Sequence, residues 1–228
     1  MTINIITIFP ELFENFIKTS IIDKAVSRGL IRINVINLRD YSKKKHNQVD
    51  DTVFGGGAGM LMAFPPLYEA IKANPGYTIL TSPQGKILTQ KHANSLSKRE
   101  VITIVCGHYE GVDARILEFI DEEVSIGDYV LTGGELPAMI ISDVIIRCIP
   151  EVIEQESLVN DSLYNGLLKH PEYTKPREYE GRTVPSILLS GHHKNIVEYN
   201  HQMSLLATKQ KRPDLYRKYL KKTSKKDI

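Results

Sequence analysis

The sequence predicts an α/β protein built on a mainly parallel sheet, followed by a small, mainly helical C-terminal unit. Three observations predict it. Short β-branched runs alternate with segments of helical periodicity through the first 150 residues; glycine- and proline-rich loops follow the later strands; and the pattern turns polar and acidic after Pro150.

The elements follow in chain order. Ile3 to Ile8 and Ile31 to Leu38 read as strands flanking a helix from about Glu11 to Arg28, with Gly29 placed to end it. Tyr77 to Thr81 and Val101 to Cys106 read as further strands, and helices are expected near Pro65 to Lys72, Thr89 to Ser97 and Val112 to Phe119. Glu122 to Ile126 reads as a short strand. Pro137 then sits in the first turn of a helix whose apolar residues run from Ala138 to Cys148 until Pro150 stops it. Those residues go round every face, so the helix should be buried on more than one side. Glu151 to Asn165 reads as a linker, and Asn195 to Thr208 and Pro213 to Leu220 as helices of the smaller unit.

Composition narrows the class. At 228 residues and 42% hydrophobic content the chain can bury a real core. No apolar run approaches the ~20 residues of a membrane span, and the N-terminus lacks a basic region followed by a small-residue cleavage site, so a cytoplasmic protein without a membrane partner is expected. Cys106 and Cys148 match neither a disulfide framework nor a zinc spacing. The seven histidines include no HExxH pair, so no dedicated metal site is expected.

The net charge of +2 hides an asymmetry. Lys209 to Ile228 holds nine basic residues against two acidic ones, leaving 20 basic and 25 acidic residues before it. A basic tail on a mildly acidic body fits either an anionic partner or a solvated tail kept polar for solubility.

Ligands of parallel sheets sit beyond the carboxyl ends of the strands. The unusual loops fall there: Ser82-Pro83-Gln84-Gly85, Gly107-His108-Tyr109-Glu110-Gly111, and the stretch from Ser125 to Pro137 with its three glycines and one proline. So much backbone freedom beside apolar bulk suits a crevice shaped around a flat ligand. Gly55-Gly56-Gly57-Ala58-Gly59 resembles a phosphate loop only superficially, because Met60-Leu61 stand where lysine and a hydroxyl are needed. The preceding Asp50-Asp51 could bind a metal or a base edge, or cap a turn. Arg147 must be paired or face a polar cavity, and Asp143, one helical turn earlier, offers an internal partner. On residues alone Asp161, within the linker, reads as a cap or a solvated charge.

In their order along the chain, these segments resemble the bacterial tRNA (guanine-N1)-methyltransferase family, of the knotted SPOUT class. The resemblance rests on Ile8-Phe9-Pro10-Glu11, Val49-Asp50-Asp51 with Gly55 to Met60, Ser82 to Gly85, Cys106 to Gly111, Ile120 to Glu123 and Ser125 to Pro137. It continues through Gly166-Leu167-Leu168, Pro171, Tyr173-Thr174 and Leu188 to Gly191, so it spans nearly the whole chain. The sequence departs from the family at Asn47, where a basic residue is usual, at Val53-Phe54 for Pro-Tyr, at Glu172 and Lys175 for His and Arg, and near Tyr199-Asn200 for Trp-Arg.

The resemblance implies a deep trefoil knot, an S-adenosyl-L-methionine cofactor, and methyl transfer to N1 of the guanosine 3′ of the tRNA anticodon, position 37. It implies a knotted cofactor-binding domain over 1–153, a flexible linker over 154–168 and a helical tRNA-binding domain over 169–228. Cofactor contacts carry over to Leu80, Ser82, Pro83 and Gln84, to Gly107, Tyr109 and Gly111, and to Ile126, Gly127, Asp128, Tyr129, Val130, Leu131, Gly133 and Gly134. Asp161 matches the general base and Arg147 the guanidinium that stabilises O6. Glu110 matches an acidic residue near the methyl donor, for which Mg2+ is the candidate mediator, while Asp50 and Gly59 lie where the target base enters. The family is an obligate homodimer, so Asp161 of one chain would act beside Arg147 of the other, with Glu154 to Ser162 ordering as tRNA arrives. Two other functions stay open: a related knotted enzyme acting on another RNA, and a non-catalytic RNA-binding module.

Overall fold

The computed structural model describes residues 1–154 and 161–224. The chain divides into two compact units, Met1–Ile153 and Glu154–Ile228.

The first unit is built on a five-stranded, all-parallel sheet. Its strands are β1 (Thr2–Thr7), β2 (Arg32–Asn37), β5 (Tyr77–Ile87), β6 (Val101–Cys106) and β7 (Glu122–Ser125), in the order β2-β1-β6-β5-β7. The period-two alternation of the strands sends apolar side chains to both faces, as a sheet covered on both sides requires. Ile3, Ile5, Ile79, Ile102 and Ile104 pack on one face with residues of α1 (Phe13–Ile17), α2 (Ser20–Ser27), α4 (Gln90–Leu96) and α5 (Glu135–Ile146). Ile6, Leu80 and Val105 pack on the other with Leu67, Ala70 and Ile71 of α3 (Phe64–Ala73) and with Ile116.

A polar row interrupts the second face. Asn34, Asn4, Thr103 and Thr78 stand in register across four adjacent strands. Asn34 Nδ2 donates to Asn4 Oδ1 (2.9 Å), Asn4 Nδ2 to Thr103 Oγ1 (3.3 Å), and Thr103 Oγ1 to the Asn74 carbonyl (2.8 Å). Buried polar atoms cost free energy unless paired, and here each of these links is made only in one alignment of the strands.

The structure departs from the sequence reading in four places. The expected helix from Glu11 to Arg28 is broken: Thr19 is extended and Ser20 takes φ 48°, so α1 ends and α2 starts afresh. The Val112 to Phe119 segment is a 3-10 helix over Ala114–Phe119, started by Asp113, whose carboxylate accepts from the Arg115 amide. α5 begins two residues before Pro137 and ends at Ile146, with Arg147 as its C-cap. An unforeseen hairpin of β3 (Asp50–Thr52) and β4 (Met60–Met62) brackets the glycine run.

In the second unit, β8 (Glu178–Tyr179) and β9 (Arg182–Thr183) form a small hairpin, followed by α6 (His193–Lys211) and α7 (Pro213–Thr223). No described helix is long and apolar enough to cross a membrane.

Candidate functional site

A bulge within β5 and the loops beyond the carboxyl ends of β6 and β7 surround one cleft of about 420 Å3, within the roughly 300–1,000 Å3 range of small-molecule sites. Each loop is positioned by polar residues that close an apolar strand. β5 pairs with Val124 of β7 at Thr81 and again at Lys86, so Ser82 to Gly85 bulge out of the strand as a four-residue excursion. Thr81 Oγ1 donates to the Val105 carbonyl and accepts from the Gly107 amide, each at 3.2 Å, which ties the ends of β5 and β6 together. Ser125 Oγ, at the end of β7, accepts from the Gly127 amide (3.1 Å) and starts the third loop.

That third loop returns to the sheet between the other two. The Gly134 amide donates to the Gly107 carbonyl (2.7 Å), and Gly133 forms an antiparallel bridge with His108. A side chain at Gly134 would collide with Thr81 Oγ1 and come within 2.7 Å of the Gly107 nitrogen, so only glycine lets α5 begin here. Pro137 falls in the first turn of α5, where its missing amide hydrogen costs nothing.

The cleft brings together most of the residues singled out from sequence. Leu80, Ser82, Pro83 and Gln84 line it from β5 and its bulge, and Gly107, Tyr109, Glu110 and Gly111 after β6. From the third loop Ile126, Gly127, Tyr129, Val130, Leu131, Gly133 and Gly134 line it; Asp128 is in the same loop but not on the cleft wall. The lining mixes apolar side chains with glycine-rich backbone, the composition that holds a flat heterocycle while amides and carbonyls read its edge.

The glycine run joins this site from the side. β4 is fastened to the loop after β6 by three backbone bonds: Glu110 N to Met60 O (3.0 Å), Met62 N to Gly111 O (2.9 Å) and Asp113 N to Met62 O (2.9 Å). Gly59 thereby abuts Glu110. Asp50, in β3, is half-buried, and its carbonyl accepts from Lys44 Nζ and Gln48 Nε2. Asp51 pairs with Lys44 at 2.6 Å, and that lysine holds its carboxyl below the usual carboxylate range. The structure thus gives Asp51 the bland role, a turn charge matched by a neighbour.

Thr81, Ser125 and His108 also shape the cleft and were not singled out. Thr81 and Ser125 carry a signal that was available: a hydroxyl at the end of an apolar strand, one residue before a loop. His108 stands within a quoted motif, but its role depends on a carboxylate 27 residues away in sequence.

Cys106 is buried at the end of β6. Burial, with the nearby Glu135 charge second, pushes its thiol well above the ordinary range, so it stays protonated and unreactive. Among the described residues no group of three or more His, Cys, Asp or Glu side chains is gathered as a metal site.

Besides Asp128, the expected site residues Asp50, Gly59, Arg147 and Asp161 are not among those that line the cleft. Arg147 is the C-cap of α5, twelve residues beyond Glu135 and roughly 18 Å along the helix axis, and its amide donates to the Asp143 carbonyl at 3.0 Å. Asp161 belongs to the second unit and begins a closed loop. Its carbonyl accepts from the Tyr164 amide, Ser162 Oγ accepts from the Lys169 amide (2.9 Å), and Leu163 N donates to Leu167 O (2.7 Å). The buried Thr208 Oγ1 of α6 accepts from the Leu168 amide (2.9 Å), anchoring that loop to its unit. Residues 155–160, most of the segment expected to order with tRNA, lie outside the described residues, as do Lys225, Lys226 and Asp227 of the basic tail.

The model of a family described as tRNA (Guanine-1)-methyltransferase TrmD matches residues 1–218. The chain is 53% identical over 219 residues to the tRNA (guanine-N(1)-)-methyltransferase of Onion yellows phytoplasma (strain OY-M), covering 94% of this chain and 90% of that protein. It is 51% identical over 226 residues to the protein of the same name from Ruminiclostridium cellulolyticum, covering 96% and 97% of the two chains. The Mycoplasmopsis synoviae (strain 53) protein of that name is 50% identical over 219 residues, covering 94% and 96%.

Proposed function

From the premise that the chain belongs to the tRNA (guanine-1)-methyltransferase TrmD family, we propose that it transfers a methyl group from S-adenosyl-L-methionine to N1 of the guanosine 3′ of the tRNA anticodon, position 37. The single observation that carries this reading is the convergence of three segments at the carboxyl edge of the sheet on one apolar, glycine-walled cleft in a chain matched to the family over residues 1–218.

The residues present fit the cofactor. Leu80, Ile126 and Leu131 would sandwich the adenine, and the backbone at Gly107 and Gly133 would approach it closely. When bound, S-adenosylmethionine supplies a methyl group on a sulfonium sulfur that keeps the bonding electron pair as the methyl departs.

The rest falls to the chain. Guanine N1 carries a proton at neutral pH, so it becomes nucleophilic only when a base takes that proton while charge on O6 is stabilised. Asp161 takes the N1 proton onto its carboxylate, and Arg147 faces O6 with its guanidinium. Glu110, on the cleft wall, orients the reacting groups there. Asp50 and Gly59, on the hairpin fastened beside Glu110, flank the entry of the target base, which must leave its stack to reach the cleft.

The catalytic centre is shared by two subunits. Leu136 and Ile140 of α5 and Val130 of the third loop are exposed apolar residues, and a homodimer interface would cover them. In this reading 1–153 is the knotted cofactor domain, 154–168 the linker carrying the base and 169–228 the tRNA-binding domain, whose Lys and Arg residues on α6 and α7 hold phosphates in a salt-dependent way. The protein works in the cytoplasm, where its tRNA is.

Methylation of a full tRNA transcript, with the product position mapped, tests the proposal. A methyl group at N1 of that guanosine is expected; an unmethylated transcript, or a methyl group on a ribose hydroxyl, overturns it.

A further inference from the structure

Glu135 opens α5, yet it is only 4% exposed. A carboxylate at a helix start is ordinarily solvated; a buried one must find partners within the fold. Oε1 accepts from Thr7 Oγ1 at 2.9 Å, and Thr7 Oγ1 accepts in turn from the Phe9 amide at 3.0 Å, just past β1. Oε2 lies 3.7 Å from Nδ1 of His108, an ion-pair distance that is too long for a hydrogen bond. Nδ1 is itself buried and makes no hydrogen bond among the described residues, so Glu135 is the acceptor it faces.

The surroundings hold the two groups together. Gly133 lies between them, and a side chain there would overlap both His108 Nδ1 and Glu135 Oε2. Phe9 meets the imidazole edge-on, with ring centroids 5.1 Å apart. The His108 to Gly133 bridge and the Gly134 to Gly107 bond run alongside. One buried carboxylate therefore joins the end of β1, the loop after β6 and the start of α5. His108 is also on the cleft wall, next to Tyr109 and Glu110.

We propose that Glu135 is a positioning residue of the donor cleft, acting through His108. With one oxygen hydrogen-bonded to Thr7 and the other facing His108 Nδ1, the carboxylate locks the loop from Gly107 to Gly111 against the loop from Gly127 to Gly134, so both walls of the cleft keep one spacing. This inference rests on the reading of the cleft as the S-adenosylmethionine site.

Calorimetric titration of the full chain with S-adenosylmethionine tests it. Glu135→Gln keeps an acceptor for Thr7 but loses the charge facing His108, and is expected to weaken donor binding by about tenfold to a hundredfold. His108→Asn should weaken it comparably, and the double variant should be no weaker than the worse single one, because both changes break the same couple. A merely structural role in α5 predicts independent, multiplying losses. Additive effects in the cycle, or wild-type affinity in Glu135→Gln, overturn the proposal. Should Glu135→Gln fail to fold, Thr7→Val and His108→Asn carry the test: both must weaken donor binding, and unchanged affinity in either overturns it. Absence of donor binding by the unmodified protein would instead overturn the reading of the cleft.

Discussion

Gly59 and Glu110 are in direct apposition: a β-carbon built on Gly59 would lie 2.6 Å from Glu110 Cγ and 2.7 Å from its Oε1. Gly59 also has φ +84°, in the left-handed region. The glycine run is therefore the surface on which Glu110 rests. Gly59→Ala is expected to cost about 1–3 kcal/mol from backbone strain alone, read as a lower melting temperature. Turnover should fall about a hundredfold as Glu110 is displaced. Adding Glu110→Ala should recover part of the melting temperature and none of the turnover.

Gly134→Ala places a methyl group against Thr81 Oγ1 and the Gly107 amide. Overpacking of this kind costs about 1–3 kcal/mol. Because these atoms tie the three loops together, S-adenosylmethionine affinity measured by calorimetry should drop along with the melting temperature. Thr81→Ala in the same chain should restore stability more than affinity.

Asp161→Asn removes the proposed base without altering the first unit. Donor affinity is expected to stay at the wild-type value while methyl transfer falls by roughly 10²–10⁴-fold. A hybrid dimer of one Asp161→Asn chain and one Arg147→Ala chain gives the sharper result. If each centre draws these residues from different chains, the hybrid holds one intact centre and regains activity that both parent dimers lack; a hybrid as inactive as its parents would place them in one chain.

Asp214, at the start of α7, is held by the Arg212 guanidinium at 2.8 Å, which lowers its pKa from 3.8 to about 2. A depressed acid stabilises the helix fully above its unfolded pKa and loses that contribution as pH falls through the folded value. Helicity of α7 should therefore hold down to about pH 4 and fray toward pH 2. Asp214→Asn should flatten that part of the acid titration followed by circular dichroism. Both groups are at the surface, so added salt should shrink the effect.

The parts of the fold legible in the sequence were those governed by local pattern. β1, β2, β6 and the first half of β5 announce themselves as runs rich in β-branched residues, and the cleft loops as glycine and proline clustered at the strand ends. What escaped depends on distant partners. β3 and β4 hold two adjacent acids and border a glycine run, and they are strands because β4 bonds to residues 110–113. The break at Ser20 has no proline or glycine to mark it. Glu135 looks like an ordinary first-turn acid until Thr7 and His108, remote in sequence, are seen to enclose it. A buried polar group is a tertiary fact, and periodicity is blind to it.

The line of Asn34, Asn4, Thr103 and Thr78 has a reach beyond the strands it crosses. Slippage of β6 by one position would carry Thr103 to the opposite side and strand the amide of Asn4 in hydrocarbon, so the assembly has a single permitted setting, like a ratchet with one tooth. From that setting to the rim is a fixed number of residues: three from Thr78 to Thr81 and three from Thr103 to Cys106. The two lips of the opening therefore emerge at equal height, and a mouth level enough to admit a planar guest is decided midway down the sheet, by side chains that never touch it.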